Sequence, residues 1–315
     1  MTADVLPALR AKVRAAAHPA AEACACGTDT SVLADRSDGT VVRHGGTVAK
    51  AHAADTDPTR LAARLAVAAH PGLDGVLLPP LGPGAVELHG RPVTFWSYGT
   101  PVDRDDPDAA PWEEAATLLA RLHRTPDSVL PPGLPPMRGP VKAARAVARL
   151  RAAGPHPAAS PVLRAWAVLP PWARDEAPMP DLRTLCHGDL HLGQLVRSGS
   201  GDWLLIDIDD LGRGDPAWDL ARPAAWFACG LLPPDEWTRF LTAYRKAGGT
   251  AVPADSDPWP ALDVPARALT VQTAAQAIAK SVAAGRPLDE VETSVIDACD
   301  RMATHPPELA GGFAT

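Results

Sequence analysis

Two short polar segments, each joined to an apolar run, limit what this chain can fold into. One is Leu185-Cys186-His187-Gly188-Asp189-Leu190-His191-Leu192-Gly193-Gln194, and the other is Leu204-Leu205-Ile206-Asp207-Ile208-Asp209-Asp210. Leu204 to Ile206 reads as a buried strand, and Asp207 closes it. A carboxylate at a strand end that faces a second carboxylate from a loop is costly unless a positive charge lies between them. A magnesium ion would supply that charge, because this hard cation takes oxygen ligands. Asp189 puts a base at one end of its loop, and Gln194, five residues on, offers a neutral oxygen ligand. Asp207 completes the oxygen set.

These residues resemble the catalytic core of the aminoglycoside phosphotransferase (choline kinase-like) family of small-molecule kinases. That family's loop runs His-Gly-Asp, four residues, then Asn. His187-Gly188-Asp189 matches it, with Gln194 at the Asn position. Asp207 stands at the family's metal-binding Asp, and Gly212-Arg213-Gly214-Asp215-Pro216-Ala217-Trp218-Asp219-Leu220-Ala221 matches the segment that follows. The form His-Gly-Asp-Leu-His-Leu-Gly-Gln is also similar to the loop of maltokinase-type sugar kinases.

The resemblance implies an α+β, bilobal, protein-kinase-like fold. A small antiparallel β-sheet lobe, residues 1–97, would bind nucleotide, and a helical lobe, residues 98–315, would carry the catalytic loop and the acceptor. ATP and Mg²⁺ are the implied cofactors, and the partner is a small-molecule hydroxyl acceptor. An antibiotic or amino-sugar-type compound leads. A neutral sugar or metabolite, or a degenerate kinase-like nucleotide-binding protein, is the alternative.

Roles follow from the same resemblance. Asp189 accepts or orients the proton of the attacking hydroxyl. Asp207 bridges metal to phosphates, and Gln194 is the second metal ligand. His191 stands where a cation touches the transferred phosphate, as a weaker or pH-dependent charge. His187 braces the loop, and Asp219 accepts its backbone N–H groups. Lys50, in Val48-Ala49-Lys50, steadies the α- and β-phosphates. Trp96 and Tyr98 fall where the lobes are linked, beside the adenine. Asp209 and Asp210 read as solvated loop charges, or as contacts for a substrate amine.

One departure is plain. The helix expected over 57–70, with Asp57 as N-cap and Pro58 in its first turn, lacks the Glu that pairs with a kinase lysine. Either Asp55 or Asp57 substitutes, or Lys50 has no helix partner. No Gly-rich loop ends in Lys-Ser/Thr, which argues against a P-loop kinase. Only a few residues separate Asp207 from Gly214-Asp215-Pro216, too few for a protein-kinase activation segment. A His-rich ligand set for a metallohydrolase is missing.

Bulk properties exclude other classes. The 315 residues, 46% of them hydrophobic, suffice for a sizeable core or two lobes. Net charge is −7 with no basic block, so a nucleic-acid partner is not expected. No apolar run approaches the ~20 residues of a membrane span. The N-terminus lacks a signal-peptide pattern, and a cytoplasmic location is expected. Cys24 and Cys26 with His18 lack a second pair and a zinc spacing, so packed, reduced thiols are expected. Strands are expected at 31–35, 40–43, 47–51, 76–81, 85–88 and 92–96. Helices are expected at 4–17, 112–124, 141–152, 161–174, 216–229, 234–246, 259–284 and 288–303. The pattern sets no oligomeric state.

Overall fold

The computed structural model describes residues 5–19, 30–36, 38–180 and 183–304. Cys24 and Cys26 lie outside these residues. The strands are β1 (Ser31–Arg36), β2 (Gly39–His44), β3 (Thr47–His52), β4 (Val86–Leu88), β5 (Arg91–Ser97), β6 (Thr100–Pro101), β7 (Thr184–Cys186), β8 (Leu195–Arg197), β9 (Trp203–Leu205) and β10 (Gly212–Gly214). The helices are α1 (Val5–Ala17), α2 (Pro58–Ala68), α3 (Trp112–His123), α4 (Gly139–Ala152), α5 (Ala159–Ala167), α6 (Ala217–Ala228), α7 (Pro234–Lys246), α8 (Trp259–Ala284) and α9 (Glu290–Thr304). They form two compact units. The first takes residues 1–110, 126–135 and 193–209, and the second takes 111–125, 136–192 and 210–315.

The first unit is built on an antiparallel sheet in the order β1-β2-β3-β5-β4. Val5, Leu9 and Val13 repeat every four residues along α1, so they share one face. That stripe is buried with Val42, Ala49, Ala51 and Val93 of the sheet. Side chains alternate along a strand. With Ala49 and Ala51 turned to α1, Lys50 between them projects from the opposite face. Asp57 caps α2, accepting from Thr59 N at 2.9 Å and Arg60 N at 3.1 Å. A second sheet, β6-β8-β9, completes this unit.

The strand expected at 76–81 does not form. Leu78 N bonds Leu205 O at 2.9 Å and Leu205 N bonds Val76 O at 2.9 Å, but the pairing stops at single bridges, Leu77 to Leu205 and Pro80 to Trp96. Pro79 and Pro80 have no N–H to continue a ladder.

The second unit is helical, with a β7–β10 ribbon whose register places Cys186 opposite Gly212. Helix α8 is apolar on most sides, as a central helix must be. It packs against α4, α5, α6 and α9. The helix expected at 161–174 ends at Ala167, and Pro171–Arg174 forms a separate 3₁₀ turn. Pro170 and Pro171 cannot donate to a continuing helix.

Asp57→Ala should lower unfolding stability by about 1 kcal/mol, the usual worth of an N-cap. Chemical denaturation of the two proteins checks this.

Candidate active site

In the first unit, the Lys50 side chain is 14% exposed and meets two carboxylates. Its Nζ lies 2.7 Å from Asp207 Oδ1 and 2.9 Å from Asp209 Oδ2. Burial alone would lower the lysine pKa, but the Asp207 and Asp209 charges outweigh it and drive it above its ordinary value. Asp209 is held far below the usual carboxylate range; burial would raise it, and Lys50 and His52 overcome that. Asp209 Oδ1 also lies 3.0 Å from His52 Nδ1. His52 Nε2 is 2.9 Å from Thr94 Oγ1, which accepts from Trp96 Nε1 at 2.9 Å. A polar relay thus runs from the lysine through β3 and β5 to Trp96.

The missing helix Glu is therefore replaced from the Asp207-Ile208-Asp209 segment. Asp57 instead caps α2, and Asp55 is exposed. Asp207 sits just after β9 with φ +65°, a left-handed conformation costly for a side chain other than Gly. Two partners hold it there. Lys50 is one, and the other is the Asp209 N–H, which donates to Oδ1 at 3.3 Å.

Gln194 is buried, and its Nε2 lies 3.5 Å from Asp207 Oδ2. Asp207, Asp209 and Gln194 offer carboxylate and amide oxygens, the donor set a hard divalent cation takes. Oδ2 of Asp207, with only that long contact from Gln194, is the oxygen best placed to serve one. A half-turn of the Gln194 amide would present its oxygen to the same place. These residues fit a magnesium ion.

Trp96 packs with Leu78, Val196 and Leu204. Tyr98 lies under the Arg43 guanidinium, 3.4 Å from the ring centre, and its N–H donates to Gly46 O at 2.8 Å.

In the second unit, the His187–Asp189 loop is fixed by a buried carboxylate. Asp219 Oδ2 accepts the His187 N–H at 2.6 Å, and Oδ1 accepts the Gly188 N–H at 2.7 Å. His123 Nε2 lies 3.0 Å from Asp219 Oδ2, and its Nδ1 is 2.7 Å from the Tyr244 hydroxyl. His123, Cys186 and Asp219 are close enough to hold a metal. The imidazole nitrogens and carboxylate oxygens are already bonded within the protein, which makes the cluster a brace. Gly188 has φ +84°, and a Cβ there would strike the Asp210 carbonyl oxygen, so glycine is required.

Asp189 is clamped by two cations. Lys142 Nζ is 2.6 Å from Oδ2, and Arg222 Nη2 donates to Oδ1 at 2.9 Å. Burial would raise this carboxyl, yet Lys142 and Arg222 hold it below its ordinary value. Lys142 also lies 2.8 Å from Asp210 Oδ2, and Arg138 Nε is 3.4 Å from Asp210 Oδ1. Burial leads in raising the Asp210 pKa, which Lys142 only partly offsets. His191 is pushed down to about 4, chiefly by burial, against the pull of Asp189. It is an uncharged imidazole at neutral pH.

Lys142, Arg222, Arg138 and His52 escaped the sequence reading. Arg222 had a signal, since it follows Asp219 by one helical turn on α6. Lys142 and Arg138 had none, because their partners lie far off in sequence.

A sequence profile of the phosphotransferase enzyme family (APH) matches residues 44–262. The chain belongs to this family. No curated protein matches it by sequence. Among solved structures, a choline/ethanolamine kinase family protein from Mesorhizobium loti is 17% identical, covering 97% of this chain and 96% of that one with TM-score 0.58. The macrolide 2'-phosphotransferase MphH from Brachybacterium faecium is 19% identical over 95% and 99%, with TM-score 0.53. A thermostable mutant of aminoglycoside phosphotransferase APH(4)-Ia, in complex with AMP-PNP and hygromycin B, is 14% identical over 93% and 99%, with TM-score 0.56. These likenesses establish the kinase-like α+β fold.

Two outcomes follow from the geometry. Asp209→Asn removes one of the two anions from the buried Lys50, so unfolding stability should fall by about 1 to 3 kcal/mol while Asp209→Glu recovers part of the loss; equal stability in all three proteins would contradict the pairing. His191 is depressed in the folded chain relative to its ordinary 6.5, so between pH 6.5 and 4 the unfolded chain binds the extra proton. Stability therefore falls as pH drops through that window, by up to about 3 kcal/mol from this group. Denaturation curves of His191→Gln should be flatter there.

Proposed function

We propose that this protein is an ATP- and Mg²⁺-dependent phosphotransferase acting on a hydroxyl of a small molecule. The observation that carries the reading is the pairing of strand residue Lys50 with Asp207, in a chain whose His187-Gly188-Asp189 loop is pinned by Asp219. Lys50 would hold the nucleotide phosphates, and Trp96 and Tyr98 would flank its base. Asp207 and Gln194 would hold Mg²⁺, which neutralises phosphate charge when bound. Asp189 would orient the acceptor hydroxyl and take its proton, its carboxylate already ionised by its cation partners. His191 would donate a neutral N–H toward the transferred group. His187 and Asp219 would keep the loop in shape.

Phosphoryl transfer needs positioning and charge stabilisation more than a strong base. A carboxylate fixed by two cations meets that need. The solved structures named for macrolide and aminoglycoside phosphotransferases support an antibiotic or amino-sugar-type acceptor. The second reading is a neutral sugar or metabolite, and the cations on Asp189 and Asp210 favour it. Asp209 and Asp210, as contacts for a substrate amine, would have to give up Lys50 and Lys142 respectively.

ADP release from Mg·ATP across antibiotics, amino sugars and neutral sugars tests the function. Asp189→Asn should lower kcat by roughly 10² to 10⁴ with Mg·ATP binding retained. Thermal stabilisation by Mg·ATP without turnover of any acceptor would select a kinase-like nucleotide-binding protein instead.

A further inference from the structure

A site that receives an amine-bearing acceptor leaves carboxylates open to the amine, because like charges brought together oppose binding. The surroundings of Asp189 within its own unit are the reverse. Lys142 bridges Asp189 Oδ2 at 2.6 Å and Asp210 Oδ2 at 2.8 Å. Arg222 occupies the other Asp189 oxygen at 2.9 Å, and Arg138 lies 3.4 Å from the other Asp210 oxygen. Every oxygen of the two carboxylates faces a cation from the protein itself. Two carboxylates against three cations leave this cluster one positive charge, and neutral His191 adds none.

These cations are built in. Lys142 rises from α4, which is anchored by buried Ala143, Ala146, Val147 and Leu150, and its side chain is 25% exposed. Arg222 is tied by its Nε to Leu190 O at 3.0 Å, inside the catalytic loop. Arg138 precedes α4, and its backbone N–H donates to Asp210 O at 3.2 Å. A substrate ammonium arriving here must displace Lys142 from a partly buried double ion pair, or sit beside it. Two like charges that close repel, and the partly buried site screens them less than water would.

We propose that the acceptor presents its hydroxyl to Asp189 with no ammonium beside it, as a neutral sugar or polyol does. Lys142 is the residue that turns amine-bearing acceptors away. This rests on the phosphotransferase reading and takes the second of its two acceptor classes, the neutral sugar or metabolite, over the amino-sugar one.

The test uses the full chain and acceptors matched except for one amine: glucose with glucosamine, and galactose with galactosamine, with kanamycin as a polycation. ADP release and melting temperature with Mg·AMP-PNP are read for the natural protein, Lys142→Met and Lys142→Arg. In any pair that is turned over, the natural protein should favour the neutral member about tenfold or more in kcat/KM. Lys142→Met should shrink that ratio about tenfold by gaining the amine member, and Lys142→Arg should keep it. Kanamycin should leave the melting temperature of the natural protein unchanged and raise that of Lys142→Met. A natural protein that prefers, or is stabilised by, the amine member overturns the proposal. A Lys142→Met protein that folds but gains nothing with amines overturns it equally. Absence of stabilisation by Mg·AMP-PNP would instead strike the phosphotransferase reading, with the amine response of Lys142→Met still legible.

Discussion

The buried Asp219 carboxylate is the interaction on which the His187–Asp189 loop depends. A charge removed from water is tolerated only when its oxygens are filled by donors. Two of those donors are the consecutive backbone N–H groups of His187 and Gly188, and the third is His123. A carboxylate that grips adjacent amides fixes the path of the chain rather than one side chain. The Tyr244 hydroxyl then fixes His123, and accepts Ala251 N–H at 2.9 Å in turn. The position of Asp189 is thus set by helices α3, α6 and α7 through three side chains. Gly188 must be glycine because the path so fixed passes against the Asp210 carbonyl.

The lysine of the first unit obeys the same logic by another route. A lysine this buried needs anions, and a helix carboxylate is one way to provide them. Here Asp207 and Asp209, two residues apart, provide both. The short spacing has a consequence for the backbone. Asp207 takes a left-handed conformation, so that its own side chain and that of Asp209 can both reach Lys50. His52, on the same strand as Lys50, takes the remaining Asp209 oxygen. Strand alternation sets Lys50 beside buried Ala49 and Ala51 on the other face, so the sheet core and the polar face are coupled through β3.

Much of this was legible in the sequence, for reasons that differ by residue. The His187–Gln194 loop and the Asp207 strand end could be read as polar clusters because their residues are close together and their polar character interrupts apolar runs. The helices α7 and α8 began and ended as expected, since Pro234 and Pro258-Trp259-Pro260 mark their starts, and Gly285 closes the second in a left-handed cap. The strand at 76–81 was misread because its apolar residues obey the burial pattern while its prolines forbid the ladder. The single helix at 161–174 was misread the same way: Pro170-Pro171 outweighed the apolar spacing. The partners of Asp189 and Asp210 were beyond reach. Lys142 comes from α4, 47 positions before Asp189 in the numbering, and only tertiary packing brings them together. No local pattern distinguishes it from a solvated helix lysine.

Net charge says little about a single site for the same reason. The chain carries −7 overall, a value that by itself would welcome a cationic substrate. Potential at a site depends on the few charges within several ångströms, screened beyond about 10 Å at ordinary ionic strength. The two charged side chains that touch Asp189 are both cations, Lys142 and Arg222. Such a clamp would harm an enzyme that relied on a strong base, because a depressed pKa weakens proton abstraction. It does little harm where the transition state is loose and the hydroxyl needs orienting more than deprotonating. Peptide neighbours Asp209 and Asp210 divide the labour: one helps neutralise the buried Lys50, and the other shares Lys142 with Asp189. What reads in sequence as a run of solvated acids is a set of counter-ions, each matched to a basic residue from a distant part of the chain.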